Sequence, residues 1–287
     1  MKNTESKRIQ KFKAEIIKDL PFFPNTREVK QELESQSLNA LLFNYIHWAL
    51  RKPPPRPRDT IIGAEVVSDH RWQSLSGDIQ NFLQKVKAGE DLAPYLSKTV
   101  SRGYTPINRV KSGDADRWDD KDFLLNTKGF HHFHLGQSIE SDGMAARTND
   151  VLFAFVTRDT FHAVAIFDHS VFDFTDNEDL SAERARMWKI HERHVTQGMA
   201  PGTVYVSNPI TTSGHPLFVH DIKNKYAEAI YQLDPKLNDD KWIQKLYEDC
   251  KISVPKKTKL EWSLMRMDLG LYNKEADCFF KIKDWPF

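Results

Sequence analysis

From Gly129 onward the hydrophobic period of this chain changes from helical to two, and that change limits the folds open to it more than any single motif. Phe130-His131-His132-Phe133-His134-Leu135 alternates, and Val151 to Val156 and Phe161 to Phe167 are short buried-type runs parted by polar turns. Strands so close in sequence pair antiparallel, because a parallel pair needs a crossover of a dozen or more residues. A small antiparallel meander is therefore expected at the centre of the chain.

The flanks read differently. Lys2 to Asp19 has the spacing of a charged amphipathic helix, stopped by Pro21 and Pro24. A second helix, capped by Asn25 with Glu28, carries Val29, Leu38, Leu41, Leu42, Tyr45, Ile46 and Ala49 and ends at Leu50. Residues 51 to 58, Arg-Lys-Pro-Pro-Pro-Arg-Pro-Arg, form a polyproline-like basic connector, read as a solvated linker. Thr60 to Val67 is a short strand, and Ile79, Phe82, Leu83 and Val86 mark a helix that Gly89 closes. Ser112 to Asp122 is a polar acidic loop without the central glycine and closing glutamate of a calcium loop. Ser181 to His194 is a helix, ended by Gly198, Pro201 and Gly202, with a strand at Thr203 to Val206. Ile222, Tyr226, Ile230 and Leu233 mark another helix, as do Trp242, Ile243, Leu246 and Tyr247, before a hairpin from Leu260 to Ile282 turning near Asn273-Lys274. The expected class is α+β, with a helical region over 1–110, the sheet over 111–210 and a helix-plus-hairpin extension over 211–287.

Composition sets the boundaries of function. With 287 residues, 40% of them hydrophobic, the chain can bury a sizeable core. Lys and Arg total 41 against 40 Asp and Glu, so no global field draws it to nucleic acid or a membrane, and any polyanion site must be a local patch. Met1 to Leu20 lacks the apolar stretch of a secretory signal, no run is long enough to span a bilayer, and Cys250 and Cys278 build no disulfide framework. The expectation is a cytoplasmic protein without a membrane partner.

The chemistry lies in the histidines. Of eleven, His131, His132, His134, His162 and His169 gather in the sheet region, with His191 and His194 on the helix that follows. Histidine titrates nearest neutral pH, so such a cluster is ready acid–base equipment. Alternation sends His132 and His134 to one face and Phe133 and Leu135 to the other, while His169 sits at the rim where the third strand ends. His162 and His131 read as packed, and Ser213-Gly214-His215 as a turn before a helix. Arg147 opens the middle strand, and Arg186, Lys189 and Arg193 at i, i+3 and i+7 share a helix face suited to phosphate oxygens. Together these groups supply what metal-free RNA cleavage needs: a base for the 2′-hydroxyl, cations for the phosphate and an acid for the leaving 5′-oxygen. No cofactor is called for. Two alternatives stand beside this reading: a non-catalytic RNA- or protein-binding sheet, and a metal held by the imidazoles of His132, His134 and His169.

The order His132-x-His134-Leu135, a polar loop, Arg147-Thr148-Asn149-Asp150, an apolar strand, Ala165-Ile166, His169 and Met187-x-Lys189-Ile190 resembles YafO toxins of the RelE-like messenger-RNA endonucleases. The resemblance spans about residues 128 to 195. It implies an antiparallel sheet bearing a ribonuclease surface, cleavage of messenger RNA by 2′-hydroxyl attack without metal, action at the ribosome and neutralisation by an antitoxin. Carried over residue by residue, it points to His132, His134, Arg147, His169 and Lys189. Arg186-x4-His191 resembles the arginine–histidine signature of HEPN ribonucleases, which adds His191 to the catalytic candidates and leaves Arg186 and Arg193 to bind RNA. The chain departs from the toxins in its long flanks and in Asp168-His169-Ser170-Val171-Phe172-Asp173, which replaces a basic, proline-rich segment.

Overall fold

The computed structural model describes residues 5–116, 120–173 and 180–287. The first residues of the expected N-terminal helix and part of the acidic loop lie outside them. Over the described residues the protein is α+β, 46% helical with 3₁₀ turns included and 18% strand. In chain order the helices are α1 (Lys7–Asp19), α2 (Arg27–Ser35), α3 (Leu38–Leu50), α4 (Ala64–Val67), α5 (Trp72–Ala88), α6 (Ile107–Ser112), α7 (Phe123–Lys128), α8 (Ala182–Thr196), α9 (Leu217–Leu233) and α10 (Asp240–Asp249). The strands are β1 (Asp59–Ile62), β2 (Phe130–His134), β3 (Asp150–Val156), β4 (Thr160–Asp168), β5 (Leu260–Met265), β6 (Asp268–Asn273) and β7 (Cys278–Lys283).

Two compact units are built from interleaved stretches, where the sequence reading sets out three consecutive regions. One comprises residues 1–50, 101–120 and 217–285, and the other 51–100, 121–216 and 286–287.

In the first unit the stripe from Val29 to Ala49 is divided between two helices. Gln36 turns extended (ψ 150°) and ends α2, and Ser37 Oγ accepts the Ala40 N–H at 3.3 Å to start α3. The cap of α2 is Thr26, whose Oγ1 accepts the Val29 N–H, rather than Asn25. α3 packs on α9 and α1, and its Leu38, Leu41, Leu42 and Ile46 are buried. The expected C-terminal hairpin is a three-stranded meander, β5-β6-β7. Its additional turn sits at Arg266 and Met267, both at positive φ (50° and 70°), which matches the right-handed twist of a tight hairpin without supplying the usual glycine signal.

In the second unit the four-stranded sheet runs β1-β4-β3-β2. β2, β3 and β4 form the expected antiparallel meander, but β1 joins β4 in parallel, so the sheet is mixed. The segment Thr60 to Val67 divides into β1 and the short helix α4. A bulge sets Ala165 opposite Phe153 and Ala163 opposite Ala154, leaving Val164 as the extra residue. One sheet face (Phe133, Leu135, Leu152, Phe161, Ile166) packs on Ile79, Phe82, Leu83 and Val86 of α5. The other (Phe130, Val151, Phe153, Ala165, Phe167) packs on Leu124 of α7 and on Met187 and Ile190 of α8.

The basic connector is not a solvated linker. Arg51, Arg56 and Arg58 are buried, and Arg58 donates to the carbonyl oxygens of Thr157 (2.8 Å), Pro54 (3.1 Å) and Arg56 (3.3 Å). Prolines deprive this stretch of backbone donors, and the guanidinium satisfies its carbonyls instead. Burial and the neighbouring Arg56 push the Arg58 pKa down to about 10. Thr203 to Val206 forms no strand and stays exposed.

Candidate functional site

The site forms where strand register gathers three chain segments of the second unit. His134 pairs with Val151, and Asp150 with Asp168, so the end of β2, the start of β3 and the end of β4 meet at one rim. His132 and His134 emerge on the face that carries α7 and α8, as alternation predicts. The loop before β3 folds back beside β2 because Gly136 lets the chain approach the Ala146 carbonyl, where a Cβ would lie 2.0 Å from the oxygen. Thr148 then pins it: its hydroxyl accepts the Leu135 N–H (3.2 Å) and donates to the Asp150 carbonyl (2.6 Å). Asp168 caps the short 3₁₀ turn His169–Phe172 by accepting the Ser170 N–H at 2.9 Å, which sets His169 at the rim.

A pocket of about 290 Å³ results, lined by His132, His134, Arg147 and His169 together with Lys121, Asp122, Phe172 and Arg184. The rings of His134 and His169 stand 5.4 Å apart. His169 is exposed, and its Nδ1 lies 2.7 Å from the Asn149 carbonyl oxygen. A carbonyl only accepts, so Nδ1 carries a proton and the reactive ring nitrogen is Nε2. His134 is buried, with Nδ1 3.2 Å from both the N–H and the carbonyl oxygen of Thr148, a donor and an acceptor that between them can serve either tautomer. Burial, Arg147 and the neighbouring histidines push the His134 pKa down to about 4. His132 is lowered as well, by burial first, with Asp122 pulling the other way from 3.7 Å. Its ring packs on Phe172 at 4.9 Å, and its buried Nδ1 has no hydrogen-bond partner among the described residues. Arg147 donates to the Leu96 carbonyl at 2.8 Å. Among the described residues, two neutral imidazoles thus stand beside Arg147, Arg184 and Lys121 and face one carboxylate, Asp122, an arrangement that draws an anion to acid–base groups.

The other four candidates lie elsewhere. Lys189 is exposed on α8, away from the pocket lining. Arg186 turns inward, donating to Asp69 Oδ2 (2.6 Å) and the Ile166 carbonyl (2.8 Å) in a network with Arg71 and Glu183. Arg193 pairs with Glu65. His191 is buried against Phe130, with its pKa pushed down to about 4 by burial and Lys128. Helical spacing put these cations on one face, yet two of the three are committed to carboxylates. Arg184 was missed, although it shares a buried stripe with Met187, Ile190 and His191, and a charge on such a stripe is itself a signal. Lys121 and Asp122 carried no signal in the acidic loop. His131 stacks on Phe133 at 6.1 Å, on the packed face where it was expected.

Among the described residues no group of three His, Cys, Asp or Glu side chains converges as a metal ion would require, so His132, His134 and His169 line one pocket without forming a ligand set. No described helix is long and apolar enough to cross a membrane. Comparison with known proteins returns no matching family model, no matching curated protein and no matching solved structure.

Proposed function

We propose that the second unit is an endoribonuclease that cleaves by attack of the 2′-hydroxyl, without a metal. The observation that carries this is the pair His134 and His169, 5.4 Å apart beside Arg147 in a cationic pocket. His134, uncharged throughout the neutral range, accepts the 2′-hydroxyl proton. A bound phosphate offsets the repulsion from Arg147 and raises the basicity of His134 toward the working pH. His169, its Nδ1–H held by Asn149, protonates the leaving 5′-oxygen through Nε2. Arg147, with Arg184 and Lys121, stabilises the phosphorane charge. The products are a 2′,3′-cyclic phosphate and a 5′-hydroxyl. The element order shared with YafO toxins favours messenger RNA as substrate, a cytoplasmic setting, and a toxin or phage-defence role restrained by an antitoxin.

The test is incubation of the purified chain with messenger RNA, with and without ribosomes and EDTA, reading the cut ends. Cleavage that survives EDTA and leaves the cyclic phosphate is expected, and His169→Asn should slow it by about 10²–10⁴-fold. Cleavage lost to EDTA would turn the assignment to a metal enzyme, and intact RNA in every condition would turn it to a binding protein.

A further inference from the structure

Between Arg193 and Asp221 the chain holds no Asp, Glu, Lys or Arg, although 28% of its residues are charged. Inside this stretch lies Thr203-Val204-Tyr205-Val206-Ser207, whose chemistry reads alike in both directions. Its exposure alternates with the period of a strand: Val204 is 82% exposed, Tyr205 37% and Val206 77%. Tyr205 turns toward the His191 ring, 6.3 Å away, and the two valines face solvent. From Val204 to Asn208 no backbone N–H or carbonyl bonds to a described residue, so these backbone groups are open and no described strand lies beside them. A β-branched, apolar run with open backbone groups is what a sheet edge presents to another strand.

We infer that Thr203 to Ser207 pairs with the same segment of a second copy, antiparallel and centred on Tyr205, to make a two-fold dimer. An isologous contact requires a self-complementary patch, in which residue i meets j and j meets i. Centred on Tyr205, the register sets Val204 opposite Val206 of the other copy and Thr203 opposite Ser207. These are the apolar and hydroxyl pairs that stabilise antiparallel ladders. Near a two-fold axis any charged side chain faces its own copy, and like charges directly opposed destabilise a ladder. A charge-free stretch is therefore what an on-axis strand needs, and a heteromeric partner would impose no such symmetry. Five paired residues alone fall short of the roughly 1,200 Å² of a stable interface. Met199 and Ile210, exposed on either side of the segment in sequence, add apolar surface near its ends, and the dimer is a weak one, populated on the order of micromolar concentration.

The measurement is sedimentation equilibrium on the full chain across that range, repeated with Val204→Lys/Val206→Lys. These positions are exposed, so the double variant should keep the wild-type circular dichroism. The wild type should pass from one chain to two as concentration rises, and the double variant should remain a single chain. Register is read by cross-linking: Val204→Cys mixed with Val206→Cys should give a disulfide-linked dimer under mild oxidation, and neither alone should exceed the wild-type background. A wild type that stays monomeric throughout, a dimer indifferent to the lysines, or cross-links equal in mixed and unmixed samples would each overturn the inference.

Discussion

At the residue scale, the depressed histidines tie the site to acid stability. A histidine whose folded pKa lies below its unfolded value of about 6.5 leaves the unfolded chain holding more protons between the two values. Stability from His134 and His191 is therefore complete above about pH 6.5 and is lost as pH falls toward about 4. His132, His162 and His194 are shifted the same way. With solvent screening, His134 and His191 contribute on the order of 1–2 kcal/mol each. Urea midpoints should fall between pH 7 and pH 5, and His191→Leu should flatten that slope while changing pH 7 stability by about 1 kcal/mol or less. His191 and His134 look equivalent in sequence, and only burial geometry puts one in the pocket and the other against Phe130. His169→Asn, at an exposed position, should lower cleavage by about 10²–10⁴-fold with no loss of stability.

At the element scale, the loop that brings Arg147 and Thr148 to β2 depends on one close approach. Gly136→Ala places a methyl against the Ala146 carbonyl and should displace both residues, reducing cleavage severely while the far-ultraviolet spectrum persists. Arg186 tests the opposite logic. Its sequence position suggests an RNA contact, but in the fold it serves the buried carboxylate of Asp69 alongside Arg71. Arg186→Ala should cost roughly 3 kcal/mol of stability, by leaving that carboxylate short of a partner, and leave the salt dependence of RNA binding unchanged. Chemical unfolding and a salt titration of binding check the two halves. The helix α5 was legible because Ile79, Phe82, Leu83 and Val86 repeat at i, i+3, i+4 and i+7 with Gly89 (φ 74°) behind them. The break between α2 and α3 was not, because nothing but an ordinary Gln-Ser pair marks it.

At the scale of the whole molecule, the interleaving of the two units makes a contiguous cut through the sheet region costly. Residues 121–216 contain β2, β3 and β4 but lack β1 and α5, so the face bearing Phe133, Leu135, Leu152, Phe161 and Ile166 would be bare. That fragment should aggregate or show the poor amide dispersion of a molten state, as a proton–nitrogen spectrum would reveal. What the sequence determined by itself is local: the period-two runs became β2, β3 and β4, and alternation assigned His132 and His134 to a common face. Those features depend on neighbours a few positions apart, where side-chain periodicity and turn chemistry are written directly into the chain. The tertiary structure decided the rest. It paired β1 with β4 in parallel, buried the arginines of the proline-rich stretch, committed Arg186 and Arg193 to carboxylates and brought Arg184, Lys121 and Asp122 to the pocket. Each of these joins residues far apart in sequence, and such pairings are set by which surfaces must be buried together, a condition that no local pattern encodes.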